Sequence, residues 1–339
     1  MPGFTKYSYK NNDSLDMVNS IIQNFRGGAS HPDGTQPTWF TDVVPEVNSG
    51  TARKVLLEAT SAVDPIIGTD PTQKWRILIE GVVTPITVAG VTKNHVKQLK
   101  IFWGTERQIP GFDNIDPDTP FITCWTEANA PKRWTNVYAY RHTIVPRGFV
   151  IAMWTNQKVN TLNDGNTMLC IQRPVNPKTG AMKTTGTLPV FSLDVTSGRS
   201  SGQEIEMTVV REKDVNFASP KRRIGTPSFH NLYGMSMNWN HPNILSNITH
   251  VIKFPFGLCT DRHIYMEEMD LISLVQATSF IAEQKADITM YTPAQTRTYT
   301  GCFGPVNYNF NETKQILGGS RIAILTKNSG DNLVEPPIS

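Results

Sequence analysis

Cysteine is scarce in this chain. Four occur in 339 residues, Cys124, Cys170, Cys259 and Cys302, and no two have C-x-x-C spacing. That argues against a zinc ribbon or a redox dithiol and fits a reduced, intracellular protein. Charge is also thin. Asp, Glu, Lys and Arg make up 18% of the chain, below the usual quarter, and the formal balance is only +3. No broad basic field therefore marks a nucleic-acid binder. No apolar run approaches the roughly 20 residues of a membrane-spanning helix. The opening "MPGFTKYSYK" lacks the apolar stretch of a signal peptide. Without such a signal, the sequons at Asn12, Asn247 and Asn311 read as chance. Active-site grammar is missing too. There is no G-x-S-x-G, no HExxH, no P-loop and no GxGxxG after a strand. The expectation is a protein that is not an enzyme.

What the chain has in quantity is threonine, 37 residues, with 23 Pro and 24 Gly. The branched Thr side chain suits a pleated surface, and Pro and Gly punctuate turns. One helix is legible. In "SLDMVNSIIQNFRGG", Leu15, Val18, Ile22 and Phe25 recur at three- and four-residue spacing. Ser14 is placed to cap this helix and Gly27 and Gly28 to stop it, which predicts a helix over about 14–26. Its apolar face needs a neighbour, in this chain or in an adjoining subunit. Residues 1–50 thus read as an N-terminal arm bearing the helix, and 51–339 as a single β domain.

From about residue 53 short apolar runs alternate with turn clusters. "KVLLEAT", "KWRILIEGVV", "VKQLKIFWG", "FITCWTEA", "NVYAYRHTIV", "FVIAMWTNQ", "TMLCIQRPV", "EIEMTVVREKD", "THVIKFPF", "DITMYTP" and "SRIAILTKN" read as strands. In "NVYAYRHTIV", Val137, Ala139 and Arg141 face one way and Tyr138, Tyr140 and His142 the other. "NDGN", Asn163 to Asn166, is a hairpin turn between two such runs. "RHIYMEEMDLISLVQATSFIAEQ" fits helix and strand equally well, so residues 264–285 stay open between the two. Loops at 106–120, 173–189 and 216–243 are long for a compact domain, and long ordered loops carry interfaces or function. Strands without interleaved amphipathic helices exclude a doubly wound α/β sheet. The predicted class is all-β, an antiparallel sandwich of jelly-roll type, the sandwich that best accommodates long excursions between strands.

Three stretches hold candidate chemistry. "SPKRRIG" places Lys221, Arg222 and Arg223 in a row within a long loop. Such side chains neutralise phosphates, and Phe217, Phe229 and His230 nearby could stack on bases. A solvated loop or a nuclear address are the competing readings. Trp239, in the polar loop "MSMNWNHPN", is a further candidate contact for an unstacked base. Trp103, Trp125, Trp134 and Trp154 lie close together in sequence, and packing is the commoner use of Trp in strands. "DNIDPDTP" puts Asp113, Asp116 and Asp118 in one loop. Carboxylates so spaced can hold a hard divalent cation, Ca²⁺ or Mg²⁺, although the EF-hand pattern is absent and Asp before Pro is ordinary turn chemistry. In "DRHIYMEEMD", His263 and Glu267 would share a metal only if the segment were helical.

An all-β chain with long uncharged loops and no active-site motif resembles the jelly-roll capsid proteins of small non-enveloped icosahedral viruses, in particular the short coats of the parvovirus and densovirus type. The resemblance is architectural and covers about residues 50–330. It differs from coats that begin with an arginine-rich arm, since residues 1–25 hold only Lys6 and Lys10 as basic groups. The resemblance implies a virion structural protein that assembles with many copies of itself and encloses a single-stranded DNA genome. It implies assembly inside the host cell, in the nucleus for a DNA virus, with Lys221, Arg222, Arg223 and Trp239 against the packaged nucleic acid. The alternatives are another virion part, such as a double-jelly-roll coat or a tail or fibre protein, and a carbohydrate-binding β-sandwich.

Overall fold

A computed structural model describes residues 3–9, 14–30, 34, 36–65, 74–88, 90–117, 119, 121–125, 138–155, 167–173, 181–182, 188–193, 206–210, 257–260, 263–268, 270–276, 285–291, 294–301 and 320–328. These residues are mostly antiparallel β-sheet with one α-helix. None of their helices is long and apolar enough to cross a membrane.

The first six-stranded sheet is built from β2 (Phe40–Asp42), β3 (Val47–Asn48), β4 (Ala52–Ala59), β5 (Trp75–Val88), β6 (Val91–Thr105) and β7 (Phe121–Trp125). Its order is β2-β4-β5-β6-β7, with β3 also on β4. The second joins β1 (Gly3–Tyr9) to β8 (Tyr138–Val145), β9 (Gly148–Thr155), β10 (Thr167–Gln172), β11 (Leu188–Leu193) and β12 (Glu206–Val210), in the order β1-β8-β9-β10-β11-β12. β13 (Gly257–Thr260) pairs β14 (His263–Glu268). A four-stranded C-terminal sheet runs β15-β18-β17-β16, from β15 (Ile272–Gln276), β16 (Lys285–Tyr291), β17 (Ala294–Gly301) and β18 (Ser320–Asn328). Most pairings join consecutive strands, as in β4 to β7 and β8 to β12. The β1–β8 and β15–β18 pairings join segments far apart in sequence.

The helix α1 (Ser14–Arg26) forms as its apolar spacing predicts, and it lies in the core of its own chain. Met17, Val18, Ile21, Ile22 and Phe25 are buried against both six-stranded sheets. Phe25 meets Phe40 at 5.5 Å and Phe149 at 5.2 Å, both edge-on, and Phe40 meets Phe149 at 5.7 Å. Each such pair is worth about 0.5–1.5 kcal/mol beyond the area it buries. This trio joins the helix to both sheets. Asp16 in the first turn and Arg26 in the last suit the helix dipole. Gly27 ends the helix at φ 66°, where a Cβ would lie 2.2 Å from the Pro37 carbonyl oxygen. Ser14 begins the helix, but its hydroxyl serves β6. It accepts the Val96 N–H at 2.7 Å and lies 2.9 Å from His95 Nδ1. The N-terminal fifty residues therefore supply β1 to one sheet, β2 and β3 to the other, and the helix between them.

Alternation along the second sheet places its side chains on two faces. Tyr140, Ile144, Phe149, Ile151, Met153, Leu169 and Ile171 join the core shared with α1. Arg141, Thr143, Val150, Ala152, Met168 and Cys170 alternate with them and are buried as well. The expected facing of Tyr140 against Arg141 holds. The C-terminal sheet reaches this second face, where Thr143 Oγ1 donates to the Leu325 carbonyl at 2.6 Å. On the first sheet's outer face, Leu56 and Leu78 lie under Ile109, with Phe102, Phe112 and Ile115 packed around them. The loop at 106–120 thus works partly as a cover for that sheet.

The segment left open between helix and strand forms strands where it is described, apart from a turn at Asp270 and Leu271. β14 and β15 cover Ile264–Glu268 and Ile272–Gln276, and β16 begins at Lys285. Pairing of β15 with β18 accounts for the choice, because Ile272 and Leu274 register against Ile324 and Ile322. A helix-spaced His263–Glu267 metal pair is thereby excluded. Four residues along a strand is about 13 Å, against about 6 Å on a helix.

Candidate functional site

The residues singled out from sequence fall in three places. Lys221, Arg222, Arg223 and Trp239 lie outside the described residues, as do "THVIKFPF" and the "NDGN" turn, although β9 and β10 do pair antiparallel. Asp113 is exposed and Asp116 half-buried, while Asp118 lies outside the described residues. The Asp116 N–H donates to the Gln108 carbonyl at 2.9 Å, and the Asp116 carbonyl accepts the Thr119 N–H at 2.8 Å. These bonds fold the loop over Ile109 and Ile115 as a turn. Among the described residues no group of three or more His, Cys, Asp or Glu side chains comes together to hold a metal. Trp103 is buried in the core, so the packing reading holds there.

The densest polar chemistry sits where sequence reading placed a charged flank. Asp270 precedes β15 and is buried. Arg147, in the tight β8–β9 turn, grips it with Nε at 3.2 Å from Oδ1 and an NH2 at 3.0 Å from Oδ2. Gln172, the last residue of β10, donates to Oδ1 at 3.0 Å and accepts the Leu271 N–H at 2.9 Å. Arg297 of β17 lies 3.6 Å from Oδ2. Burial pushes the Asp270 carboxyl up, and Arg147, Arg297 and Gln172 more than reverse that, leaving it below its ordinary value. Burial and the Asp270 charge raise the Cys170 thiol well above its usual value, which keeps it protonated and unreactive. Cys124 is also a buried free thiol.

A second buried pair lies nearby. Arg173 follows β10 and holds Asp64 with Nε at 3.3 Å and an NH2 at 3.0 Å, while its guanidinium sits 5.8 Å from the Trp75 ring. One residue along β5 from Trp75, Arg76 joins Glu58 at 2.9 Å and Glu106 at 3.1 Å and donates to the Ile109 carbonyl. Burial raises the Glu58 carboxyl, but Lys74 and Arg76 hold it below its ordinary value. These carboxylates are engaged by cations, which is the arrangement of structural ties and unlike the poised acid or base of a catalytic site. Sequence reading missed them because partners are remote. Asp270 lies 98 residues from Gln172 and 123 from Arg147.

The most exposed described feature is the far half of the β5–β6 hairpin. β4 pairs with β5 only as far as Val82, and β7 pairs with β6 only from Leu99. Beyond those points β5 and β6 stay paired with each other to the Val88–Val91 pair with no other described strand beside them, although the Val83 N–H still donates to the Thr51 carbonyl and the Val96 N–H to Ser14 Oγ. Val91 is 50% exposed, and Thr92, Lys93, Pro85 and Thr87 are exposed beside it. Gly90 turns the chain at φ 79° with nothing within 4 Å. Pro85 tolerates this place because a ribbon's outer edge needs no ladder donor. Phe121, at the β7 edge, is 44% exposed and carries Lys100 Nζ at 4.8 Å from its ring centroid.

No known protein family, curated protein or solved structure matches this chain.

Proposed function

We propose that this chain is the major capsid protein of a small non-enveloped icosahedral virus, built on a jelly-roll-type sandwich that self-assembles around a single-stranded DNA genome. The observation that supports this most is the exposed far half of the β5–β6 hairpin. An isolated two-stranded ribbon is marginal in water, and unpaired edges rich in Val, Ile and Thr invite another chain. Among the described strands, Val82 and Leu99 are the last residues with a third strand beside them. In this reading the ribbon docks on a neighbouring copy. Each contact can be modest, since closed symmetry repeats it. The small net charge of +3 limits repulsion between copies. Lys221, Arg222, Arg223 and Trp239 face the packaged nucleic acid, and a divalent cation at Asp113, Asp116 and Asp118 tightens the shell.

Val91→Asp tests the ribbon. A half-exposed position away from the core changes stability by only about 0.5 kcal/mol. The variant is expected to stay folded by circular dichroism while its assembled fraction in sedimentation drops at least tenfold. Unchanged assembly of a folded variant would remove the ribbon from the interface. The consecutive-strand sheets also favour a second reading, another virion part in which sheets stack along a fibre or tail. Negative-stain images separate closed shells from tubes or fibres.

A further inference from the structure

We propose that the C-terminal sheet β15-β18-β17-β16 is a separately releasable unit, held on the sandwich by a latch centred on Asp270. The inference does not depend on the assembly reading. It rests first on connectivity. No strand of that sheet pairs with a strand of either six-stranded sheet, so lifting it away breaks no ladder among the described strands.

It rests next on the buried ion cluster that the outer face of the β8–β9–β10 sheet carries and the inner face lacks among the described residues. The inner face joins α1 and the first sheet through one continuous apolar cluster. The outer face is also buried, with Val150, Ala152, Met168 and Cys170 on it and Leu271, Ile272, Ile324 and Leu325 buried in the C-terminal part, and an ion cluster joins the two sides there. Arg147 and Gln172 come from the sandwich; Asp270, Leu271 and Arg297 come from the C-terminal part. Ties among the described residues include Arg147 to Asp270, Gln172 to Asp270, Gln172 to the Leu271 N–H, and Thr143 to the Leu325 carbonyl. Asp270 is where two guanidinium groups and one amide converge.

The two kinds of junction fail differently. An apolar interface weakens in proportion to the area lost. A buried ion cluster fails abruptly, because removing one partner leaves the others charged and desolvated. Without the Asp270 carboxylate, Arg147 and Arg297 would lose the buried counter-ion they share at the seam. The segment from β15 to β18 is also contiguous in sequence. Contiguous supersecondary segments are the ones that open as cooperative sub-units below global unfolding. The latch therefore places the weak joint of the fold between the sandwich and its C-terminal sheet.

Hydrogen–deuterium exchange on the full-length protein tests this. Asp270→Asn keeps the side-chain shape and removes the charge. Amides in 272–276 and 320–328 are expected to exchange at least about 30-fold faster, while those in 55–59, 77–83 and 99–103 change less than about threefold. Thr143→Val removes one tie without stranding a charge, and a smaller acceleration in the same amides is expected. The wild type in sub-denaturing urea gives an independent reading that survives a misfolded variant. Loss of protection in 272–276 and 320–328 before the other set supports the latch. Equal acceleration of both sets in the variants, no acceleration in 272–276 and 320–328, or a single step in wild-type urea would overturn it.

Discussion

Gly148→Ala is expected to destabilise the native fold by about 2–6 kcal/mol, seen as a large drop in the urea midpoint or in the yield of soluble protein. Gly148 opens β9 at φ 146°, a backbone region that L side chains rarely adopt. A Cβ there would lie 2.2 Å from the Ile171 carbonyl oxygen and 2.4 Å from the Gln172 Cα. Both obstacles are backbone, so no rotamer change relieves them. The strained φ costs about 1–3 kcal/mol and overpacking roughly 1–3 more. Against a total stability of about 5–15 kcal/mol that is a large share. The site also fixes the turn carrying Arg147 and the end of β10 carrying Gln172, so the damage reaches the ion cluster. Gly90→Ala is the control. Its φ of 79° is also unfavourable, but nothing lies within 4 Å, so about 1–2 kcal/mol is the expected loss. Equal tolerance of both changes would contradict the close approach of β9 and β10.

The contrast between these glycines shows what sequence can and cannot carry. Local periodicity placed α1 at Ser14–Arg26, and "SRIAILTKN" coincides with β18 (Ser320–Asn328). In both, the signal lies within a few residues. β5 and β6 were legible only in their buried halves, "KWRILIEGVV" and "VKQLKIFWG". Their extension carries Pro85, Thr87, Thr92 and Lys93 exposed to solvent, so it offered little apolar alternation to read. The helix-or-strand ambiguity before Gln276 was resolved by pairing with β18, about fifty residues onward, which no window can see. β17, "AQTRTYTG", went unread because it is polar along most of its length. For the candidate chemistry, Asp113 and Asp116 were located correctly as a loop, but Asp270 looked like one charge among many in "DRHIYMEEMD". Its burial depends on arginines from two distant turns and strands.

Asp64→Asn is the second change with a large expected effect. Asp64 is fully buried and Arg173 is only 4% exposed. Asparagine keeps the shape and removes the charge that Arg173 faces. Breaking one partner of a buried pair costs about 3–5 kcal/mol, because the remaining ion is uncompensated. The urea midpoint, followed by tryptophan fluorescence, should fall accordingly, and Trp75 beside Arg173 makes the probe local. Replacing both partners, Asp64→Leu with Arg173→Met, is expected to recover most of that loss, since paired apolar substitutes for buried ions are often neutral. A double variant no more stable than Asp64→Asn would show that the pair itself is not the source of the effect.

The central claim concerns assembly, and the mass of the purified wild-type protein in solution tests it most directly. Analytical ultracentrifugation at neutral pH and physiological salt should show a closed particle in the megadalton range. A single species at the monomer mass of 37.8 kDa would contradict the capsid reading.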